Sequence, residues 1–258
     1  MELRDFSLDA FSLRGRRAVV TGGNTGLGQA FAVALAAAGA DVFVPSLLED
    51  DGVTAALVTG HGRRYASMQA DITAPGAAAR VVEQCVAELG GLDVLVNSAG
   101  ICLIEDVDDF DRRHWDPMIA VNLTAAFELA HEASRVMSAQ GSGKIINIAS
   151  LFSFLGGRRS PAYAASKAGV VGFTRAYCDE LGSRGIQVNA IAPSYFATAI
   201  TEAARADPAS EQRILEHIPA GRWGDPADLM GATVFLASRA SDYVSGLVLT
   251  VDGGYLVR

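Results

Sequence analysis

The chain has 258 residues, half of them hydrophobic, which is enough for one well-buried α/β domain and short for two. Its formal net charge of −8 argues against a nucleic-acid partner, because phosphate groups are bound by basic surfaces. No apolar run reaches the roughly 18 residues of a membrane span, the charged residues 1–5 do not resemble a signal peptide, and the three cysteines are widely separated. The four histidines lack the spacing of a zinc site, so we expect a cytoplasmic protein without a metal ion, a membrane contact or a disulfide framework.

Candidate strands alternate with helical patterns along the chain. Apolar runs predict strands at 18–21, 41–45, 64–69, 93–97, 144–149, 186–192 and 247–251, and helical patterns occur at 27–38, 77–89, 109–137, 161–181 and 226–238. This alternation predicts right-handed βαβ units in a doubly wound parallel sheet, a Rossmann fold with helices on both faces. No linker or repeat divides residues 1–258, so we expect a single domain.

A glycine-rich turn follows the first predicted strand. It reads T-G-G-N-T-G-L-G at 21–28 and leads directly into the first predicted helix. A strand, a glycine turn and a helix in this order are the context of a dinucleotide-binding loop, in which glycines let the pyrophosphate approach the helix N-terminus. An ordinary glycine-rich connection is the alternative interpretation.

Tyr163 and Lys167 form a Y-x-x-x-K pair, and Ser150 lies thirteen residues before the tyrosine. Ser160 followed by Pro161 predicts a helix start with the serine hydroxyl as N-cap, which places the pair one turn apart on one helical face. A neighbouring ammonium is expected to lower the phenol pKa from its ordinary value of about 10, so that the pair can exchange a proton with a carbonyl oxygen. For such a pair alone, a packed tyrosine without a catalytic role is the alternative.

These motifs together resemble those of the short-chain dehydrogenase/reductase family, over nearly the whole chain. The glycine turn matches T-G-x-x-x-G-x-G, the segment N-S-A-G at 97–100 is similar to N-N-A-G, and Asn122 stands where the family has an asparagine. The resemblance implies an oxidoreductase that transfers hydride between a nicotinamide cofactor and a secondary alcohol or ketone, and it implies a homotetramer. The implied catalytic residues are Asn122, Ser150, Tyr163 and Lys167.

The resemblance also implies a role for each of the four side chains. Tyr163 exchanges a proton with the substrate oxygen, and Ser150 donates a hydrogen bond to the same oxygen. Lys167 lowers the pKa of Tyr163 and binds the ribose hydroxyls of the cofactor. Asn122 holds a water that links Lys167 to solvent.

Cofactor contacts are implied for residues near the ends of most strands: Gly22, Asn24, Thr25, Gly26, Leu27, Gly28, Ser46, Asp71, Ile72, Asn97, Ala99, Gly100, Tyr163, Lys167, Pro193, Phe196 and Thr198. After the sixth strand the family usually has P-G-x-x-x-T, and Ser194 replaces the glycine here. Residues 194–220 are the least regular part of the chain and are expected to form a lid over the substrate. A helical hairpin without catalytic importance is the alternative.

The residues after the second predicted strand favour NAD over NADP. Ser46 stands where the NAD enzymes of the family usually have an aspartate, and Leu47 stands where an arginine would bind a 2′-phosphate. Glu49, Asp50 and Asp51 follow, so a 2′-phosphate would meet negative charge without a cation. We therefore expect NAD, with NADP less favoured.

Four further segments, 24–29, 145–150, 218–224 and 252–258, resemble the branch of the family that acts on sugar acids of the 2-deoxy-gluconate or keto-deoxygluconate type. A sugar acid needs a cation for its carboxylate, and Arg158 and Arg159 lie between Ser150 and Tyr163. Solvated surface residues or subunit contacts are the alternative for these two arginines. For the whole chain, a 3-oxoacyl-thioester reductase and a cofactor-binding regulator without turnover are the other hypotheses.

Overall fold

The computed structural model describes residues 7–258, so the predicted charged segment 1–5 and that end of the predicted domain lie outside the described residues. Within 7–258, seven parallel strands form one sheet in the order β3-β2-β1-β4-β5-β6-β7. The strands are β1 (Arg17–Val20), β2 (Asp41–Ser46), β3 (Tyr65–Gln69), β4 (Val94–Asn97), β5 (Gly143–Ile148), β6 (Ile186–Pro193) and β7 (Val248–Val251). The predicted strands and the predicted fold class, a Rossmann-type doubly wound sheet, are confirmed.

The strand order reverses next to β1, which pairs with β2 on one side and with β4 on the other. Ala18 of β1 lies opposite both Val42 of β2 and Val94 of β4. The chain therefore builds the sheet outward to β3, returns to β4, and continues to β7 on the other side. Connections leave this point in opposite directions, which opens a crevice at the carboxyl ends of β1 and β4.

Helices cover both faces of the sheet. Phe31 of the first helix and Leu236 of the last pack on one face, and Val81 and Leu129 pack on the other. Because both faces are covered, the central strands are buried and consist largely of apolar residues. The helices are α1 (Gly26–Ala37), α2 (Val53–Gly60), α3 (Ala77–Leu89), α4 (Arg112–Ile119), α5 (Ala126–Gln140), α6 (Pro161–Leu181), α7 (Glu202–Ala206), α8 (Pro208–His217) and α9 (Met230–Ala237).

The helix predicted at 109–137 is wrong as a single element. Helix α4 ends at Ile119, a π-helical turn spans Ala120–Ala125, and α5 follows. A π turn adds one residue to the hydrogen-bonded ring, and an apolar pattern with a period near 3.6 does not show this change. The turn matters because it contains Asn122.

Two other regions differ from the sequence-based expectation. Helix α2 was not predicted, because only Thr54 and Val58 of its eight residues are buried and the apolar pattern is short. Residues 194–220, expected to be irregular, contain a 3-10 turn (Ala199–Thr201) and the two short helices α7 and α8. The predicted helix 226–238 begins as a 3-10 turn (Pro226–Leu229) before α9.

Helix α6 begins at Pro161 as predicted, but the hydroxyl of Ser160 does not cap it. Ser160 is buried, and its hydroxyl donates to the Leu103 carbonyl at 2.7 Å. A buried hydroxyl needs a hydrogen-bond partner, and this carbonyl supplies it in place of the helix amides.

In the described part of the chain, no helix is long and apolar enough to cross a bilayer. Among the same residues, His, Cys, Asp and Glu side chains do not gather in groups of three or more that could hold a metal ion. Cys85, Cys102 and Cys178 are free thiols.

Candidate active site

A cavity of about 480 Å³ opens at the carboxyl ends of β1 to β6, at the point where the strand order reverses. Most predicted cofactor residues line it: Gly22, Asn24, Thr25, Gly26, Leu27, Gly28, Ser46, Asp71, Ile72, Ala99, Gly100, Tyr163, Lys167, Pro193, Phe196 and Thr198. The lining residues that the sequence did not single out for the cofactor are Pro45, Leu47, Leu48, Ala70, Ser98, Ile101, Val121, Ile148, Ala149, Ser150, Ser194, Ala199, Ile200 and Thr201.

The glycine turn forms one wall of this cavity. Gly26 has a φ of +54°, which a residue with a side chain rarely adopts. A Cβ at Gly28 would overlap the Gly22 carbonyl, so the turn closes this tightly only with glycine. The first amides of α1 have no partner within the helix and begin at this turn, which makes the wall suitable for a pyrophosphate.

Thr21 fixes the two strand ends on either side of the crevice, a role that the sequence analysis missed. Its buried hydroxyl accepts hydrogen bonds from the amides of Ser98 and Ala99, both at 2.9 Å. This bridge joins the end of β1 to the residues after β4. The position of Thr21 at the end of a strand, before the glycine turn, was the available signal.

The end of the cavity near β2 and β3 is held by side-chain contacts. The Ser46 hydroxyl donates to Oδ1 of Asn24 at 2.6 Å, and Nδ2 of Asn24 donates to the Leu48 carbonyl at 3.2 Å. Asp71 accepts hydrogen bonds from the amide and hydroxyl of Thr73, which hold the pKa of its carboxyl below its usual value. Asp71 and Lys167 are the charged residues among the described lining, and no cation lies at this end.

The opposite end of the cavity lies beyond β6. The Phe196 carbonyl accepts a hydrogen bond from the Thr201 hydroxyl at 2.6 Å, and the Phe196 ring packs in the core beside Gly224. Among residues 7–258, Arg159 is the one non-glycine residue with positive φ, so Ser194 has an ordinary backbone conformation. The missing family glycine therefore does not distort this loop.

Tyr163, Lys167 and Ser150 come together at the edge of the cavity. The Lys167 ammonium lies 5.6 Å from the centre of the Tyr163 ring and donates to the Ile148 carbonyl at 2.7 Å. The Ser150 hydroxyl accepts a hydrogen bond from the Phe152 amide at 3.2 Å. A phenol, an ammonium and a hydroxyl thus converge beside the glycine-lined cleft, an arrangement suited to proton transfer at one oxygen.

The pKa values of this pair are shifted by burial. Burial raises the pKa of Tyr163 to about 12, the nearby Cys102 thiol adds to the rise, and the Ser150 side chain opposes it. Burial lowers the pKa of Lys167 to about 8. The net shift of the tyrosine pKa is therefore upward, contrary to expectation, because burial outweighs the nearby ammonium, which hydrogen-bonds a backbone carbonyl.

Asn122 lies behind this group in the π-helical turn and is buried. Its Oδ1 accepts from the Ile101 amide at 2.9 Å, and its Nδ2 donates to the Ile101 carbonyl at 2.8 Å. A Cβ on Gly100 would lie 3.2 Å from Asn122 Oδ1 and 3.7 Å from Lys167 Nζ. The amide therefore fixes the backbone next to Lys167 through its two hydrogen bonds to Ile101.

Asn97 does not line the cavity, contrary to the expectation of a cofactor contact. Its Nδ2 donates to the Ala126 carbonyl at 3.0 Å and to Asn147 Oδ1 at 2.9 Å, and Asn147 donates to the Thr174 hydroxyl at 2.9 Å. These buried groups join β4, β5 and α6. Asn97 is the last residue of β4, and a side chain within a strand turns to the sheet face, here against helices.

Arg158 and Arg159 do not line the cavity either. Both are exposed, and Arg159 forms a salt bridge with Asp106 at 2.8 Å. The structure therefore places outside the cavity both arginines that were expected to bind a substrate carboxylate. The positive φ of Arg159 turns the loop at this point.

The chain is similar to known oxidoreductases over nearly its whole length. A family model described as enoyl-(acyl carrier protein) reductase matches residues 22–256. The chain is 60% identical to the oxidoreductase YgcW of Escherichia coli (strain K12), over 99% of this chain and 98% of the relative. It is 48% identical to 2-dehydro-3-deoxy-D-gluconate 5-dehydrogenase of the same strain, over 97% of this chain and 99% of the relative.

A solved structure from Agrobacterium tumefaciens has the same fold. It belongs to a candidate 2-deoxy-D-gluconate 3-dehydrogenase with bound NADP, and it is 48% identical with a TM-score of 0.91 over 96% of this chain and 99% of the other. The chain belongs to the short-chain dehydrogenase/reductase family. It is therefore an NAD(P)-dependent oxidoreductase that acts on a small-molecule alcohol or ketone.

Proposed function

We propose that this enzyme oxidises a secondary alcohol of a sugar acid, or reduces the matching ketone, with 2-deoxy-gluconate or keto-deoxygluconate as the type of substrate. The position of Tyr163 and Ser150 at the edge of the glycine-lined cavity carries the proposal. The names of the Escherichia coli and Agrobacterium tumefaciens relatives, each 48% identical, support the substrate class.

Proton transfer is assigned to Tyr163. A bound nicotinamide dinucleotide supplies or accepts the hydride, and the glycine turn, the start of α1 and residues 193–198 would hold it. In reduction, Tyr163 donates its proton to the substrate oxygen while Ser150 donates a hydrogen bond to the same atom. In oxidation, the tyrosinate accepts the hydroxyl proton.

Lys167 and Asn122 support this transfer. A protonated Lys167 beneath the ring stabilises negative charge as it develops on Tyr163. Asn122 acts as a positioning residue, since both of its hydrogen bonds to Ile101 hold the backbone beside the ammonium. A water relay through Asn122 is not needed for this assignment.

NAD is the proposed preferred cofactor. A 2′-phosphate would find no cation among the described residues that line the β2–β3 end of the cavity, whereas Asp71 is present there. The NADP bound to the Agrobacterium tumefaciens relative is an observation against this preference. Comparing the dissociation constants of NADH and NADPH tests the preference, and tighter binding of NADPH would contradict it.

A 3-oxoacyl-thioester reductase is the second candidate, because the matching family model is described by an acyl-carrier-protein substrate. The sugar-acid relatives are favoured over it because they match nearly the full chain at 48% identity. A regulator without turnover is disfavoured by membership in an oxidoreductase family.

Residues 194–220 are proposed to act as a lid. Thr198, Ala199, Ile200 and Thr201 line the cavity directly, and Arg205 of α7 donates to the Thr198 carbonyl at 3.0 Å. The side chain of Ile200 is 65% exposed at the cavity mouth, so closure over a ligand would bury it.

A homotetramer is proposed from the family resemblance. The outer surfaces of α5 and α6 carry an aromatic group formed by Phe127, Phe173 and Tyr177. The Phe127 side chain is 43% exposed, and contact between copies of the chain would cover it. Light scattering of the purified protein measures the mass directly.

Steady-state formation of NADH with a substrate panel tests the main proposal. The panel contains hexonates, 2-deoxy-hexonates, neutral secondary alcohols and, in the reverse direction, a 3-oxoacyl thioester. The highest kcat/KM is expected for a sugar acid. A higher value for the thioester, or turnover restricted to uncharged alcohols, would contradict the proposal.

A further inference from the structure

A series of aromatic side chains in contact with one another begins at Tyr163 and extends beyond the residues that line the dinucleotide cavity. Phe152 packs edge-on against Tyr163 with ring centres 6.1 Å apart, and Tyr195 packs against Phe152 at 6.5 Å. Tyr195 in turn contacts Trp223 at 5.6 Å and Tyr255 at 5.5 Å. We call Phe152, Tyr195, Trp223 and Tyr255 the aromatic wall; none of them lines the dinucleotide cavity.

Helix α8 lies at the far end of the aromatic wall. His217, its last residue, packs on Tyr255 with ring centres 4.3 Å apart. Arg213 precedes His217 by one helical turn, so the two side chains share a face of α8. Arg213 therefore lies on the side of the helix that meets the aromatic wall.

The charge of Arg213 reaches the phenol of Tyr195. Burial raises the pKa of Tyr195 to about 12, Tyr255 adds to the rise, and Arg213 opposes it. Arg213 itself is exposed, and it donates a hydrogen bond to the Ser210 hydroxyl at 3.2 Å. Among residues 7–258, no carboxylate lies within salt-bridge distance of Arg213, although its charge also helps to lower the pKa of the Asp207 carboxyl, so the guanidinium keeps donors for a ligand.

The other cations near the site are engaged elsewhere. Arg159 is paired with Asp106, and Arg205 donates to the Thr198 carbonyl. Lys167 donates to the Ile148 carbonyl. Arg158 is exposed on the loop that carries Arg159, outside both the cavity and the aromatic wall.

We propose that Arg213, together with the hydroxyls of Tyr195 and Tyr255, binds the carboxylate of the substrate and lays its carbon chain along Phe152 toward Tyr163. This proposal rests on the proposed function, because it names the group that recognises a sugar acid. Guanidinium and phenol donors suit a carboxylate, and aromatic faces suit the C–H groups of a sugar chain. Since two rings separate Tyr163 from Tyr255, the reacting carbon lies several bonds from the carboxyl group.

The first test is Arg213→Gln, with Arg158→Gln as the matched control. For a hexonate substrate, Arg213→Gln is expected to raise KM roughly 10- to 100-fold, because a hydrogen bond to a charged group is lost. The kcat for the hexonate, and the KM for a neutral six-carbon polyol, are expected to change by less than about threefold. Arg158→Gln should leave all of these constants unchanged.

The second test measures binding without turnover. Trp223 touches Tyr195, so its fluorescence reports an occupied site, and Trp115→Phe removes the other tryptophan of the chain. D-gluconate should give a saturable signal whose midpoint rises roughly 10- to 100-fold in Arg213→Gln and stays unchanged in Arg158→Gln. Equal gluconate affinity in Arg213→Gln, loss in Arg158→Gln, or no gluconate binding by the parent protein would each overturn the proposal.

The two measurements separate this inference from the proposed function. Arg213-dependent binding of gluconate without turnover of any sugar acid would support the carboxylate site and reject the proposed reaction. Turnover of sugar acids with an unchanged KM in Arg213→Gln would support the proposed reaction and reject the carboxylate site.

Discussion

Lys167 and Tyr163 are one helical turn apart, yet the ammonium lies 5.6 Å from the ring centre and hydrogen-bonds the Ile148 carbonyl. The lysine therefore acts on the phenol through space. Because burial lowers its own pKa to about 8, the charge that assists Tyr163 is lost within the ordinary working range of pH. This relationship makes the pH dependence of the enzyme a direct test of the site.

The value of kcat/KM for carbonyl reduction is expected to fall above about pH 8. A lysine with a lowered pKa is charged below that value and neutral above it, whereas Tyr163, with a pKa of about 12, stays protonated as the acid. Loss of the ammonium removes the stabilisation of developing tyrosinate. Initial rates from pH 6 to about pH 10 measure the break.

Two variants test whether the fall of kcat/KM near pH 8 comes from Lys167. Lys167→Arg keeps its charge throughout this range, so its rates, although lower, should show no break near pH 8. Lys144→Arg changes the other buried lysine, which pairs with Asp242 at 2.8 Å, and should retain the break. A break that persists in Lys167→Arg would assign it to another group.

Tyr163→Phe is expected to lower kcat by roughly 10²- to 10⁴-fold, the usual contribution of a positioned acid or base. Cofactor affinity should change less than about threefold, because the ring still packs against Phe152. Steady-state rates and NADH fluorescence titration measure the two quantities. Tyr177→Phe, on the same helix and hydrogen-bonded to His131, is the control and should keep full turnover.

Gly28→Ala is expected to abolish cofactor binding. The added methyl group would overlap the Gly22 carbonyl, so the turn must open and the start of α1 must shift. Gly60→Ala places the same group in open space at the end of α2, and it should leave the dissociation constant for NADH unchanged. Cofactor binding by Gly28→Ala at parental affinity would show that the turn is not the pyrophosphate wall.

Asn122→Ala is expected to lower both stability and kcat. It leaves the amide and carbonyl of Ile101 without their buried partners, which costs about 1–3 kcal/mol of unfolding free energy, and it frees the backbone beside Lys167. Chemical denaturation and steady-state kinetics measure the two effects.

The matched control for Asn122 is Asn189→Ala. Asn189 also holds a backbone segment from a buried position, through bonds to Val244 and Leu247. A similar loss of stability is expected there without a loss of kcat. Equal kcat values for the two variants would remove the positioning role of Asn122.

Motifs predicted the sheet and the proton-transfer group well, because both depend on short-range patterns. Apolar runs define the strands. Ligands of such sheets bind at the carboxyl ends of the strands, so the glycine turn and Ser150, which follow predicted strands, could be assigned to the site. The π turn around Asn122 escaped prediction, since one additional residue in a helical ring leaves no mark on a period near 3.6.

Contacts between distant segments could not be predicted from spacing. Arg158 and Arg159 are close to Ser150 and Tyr163 in sequence, but the loop directs them to solvent and to Asp106. Arg213 is fifty residues beyond Tyr163, and the packing of His217 on Tyr255 brings its helix to the aromatic wall. Asn97 belongs to the N-S-A-G segment, yet its side-chain amide forms hydrogen bonds within the core and does not face the cavity.

The buried amides of Asn97 and Asn147 and the hydroxyl of Thr174 have a consequence for how the molecule assembles. Helix α6 can satisfy these groups only after β4 and β5 are paired, and an unpaired buried amide is costly. Docking of the tyrosine helix on an unfinished sheet would leave these groups without partners and is therefore disfavoured. The nucleotide edge and the proton-transfer helix should gain protection from hydrogen exchange together, as one cooperative unit.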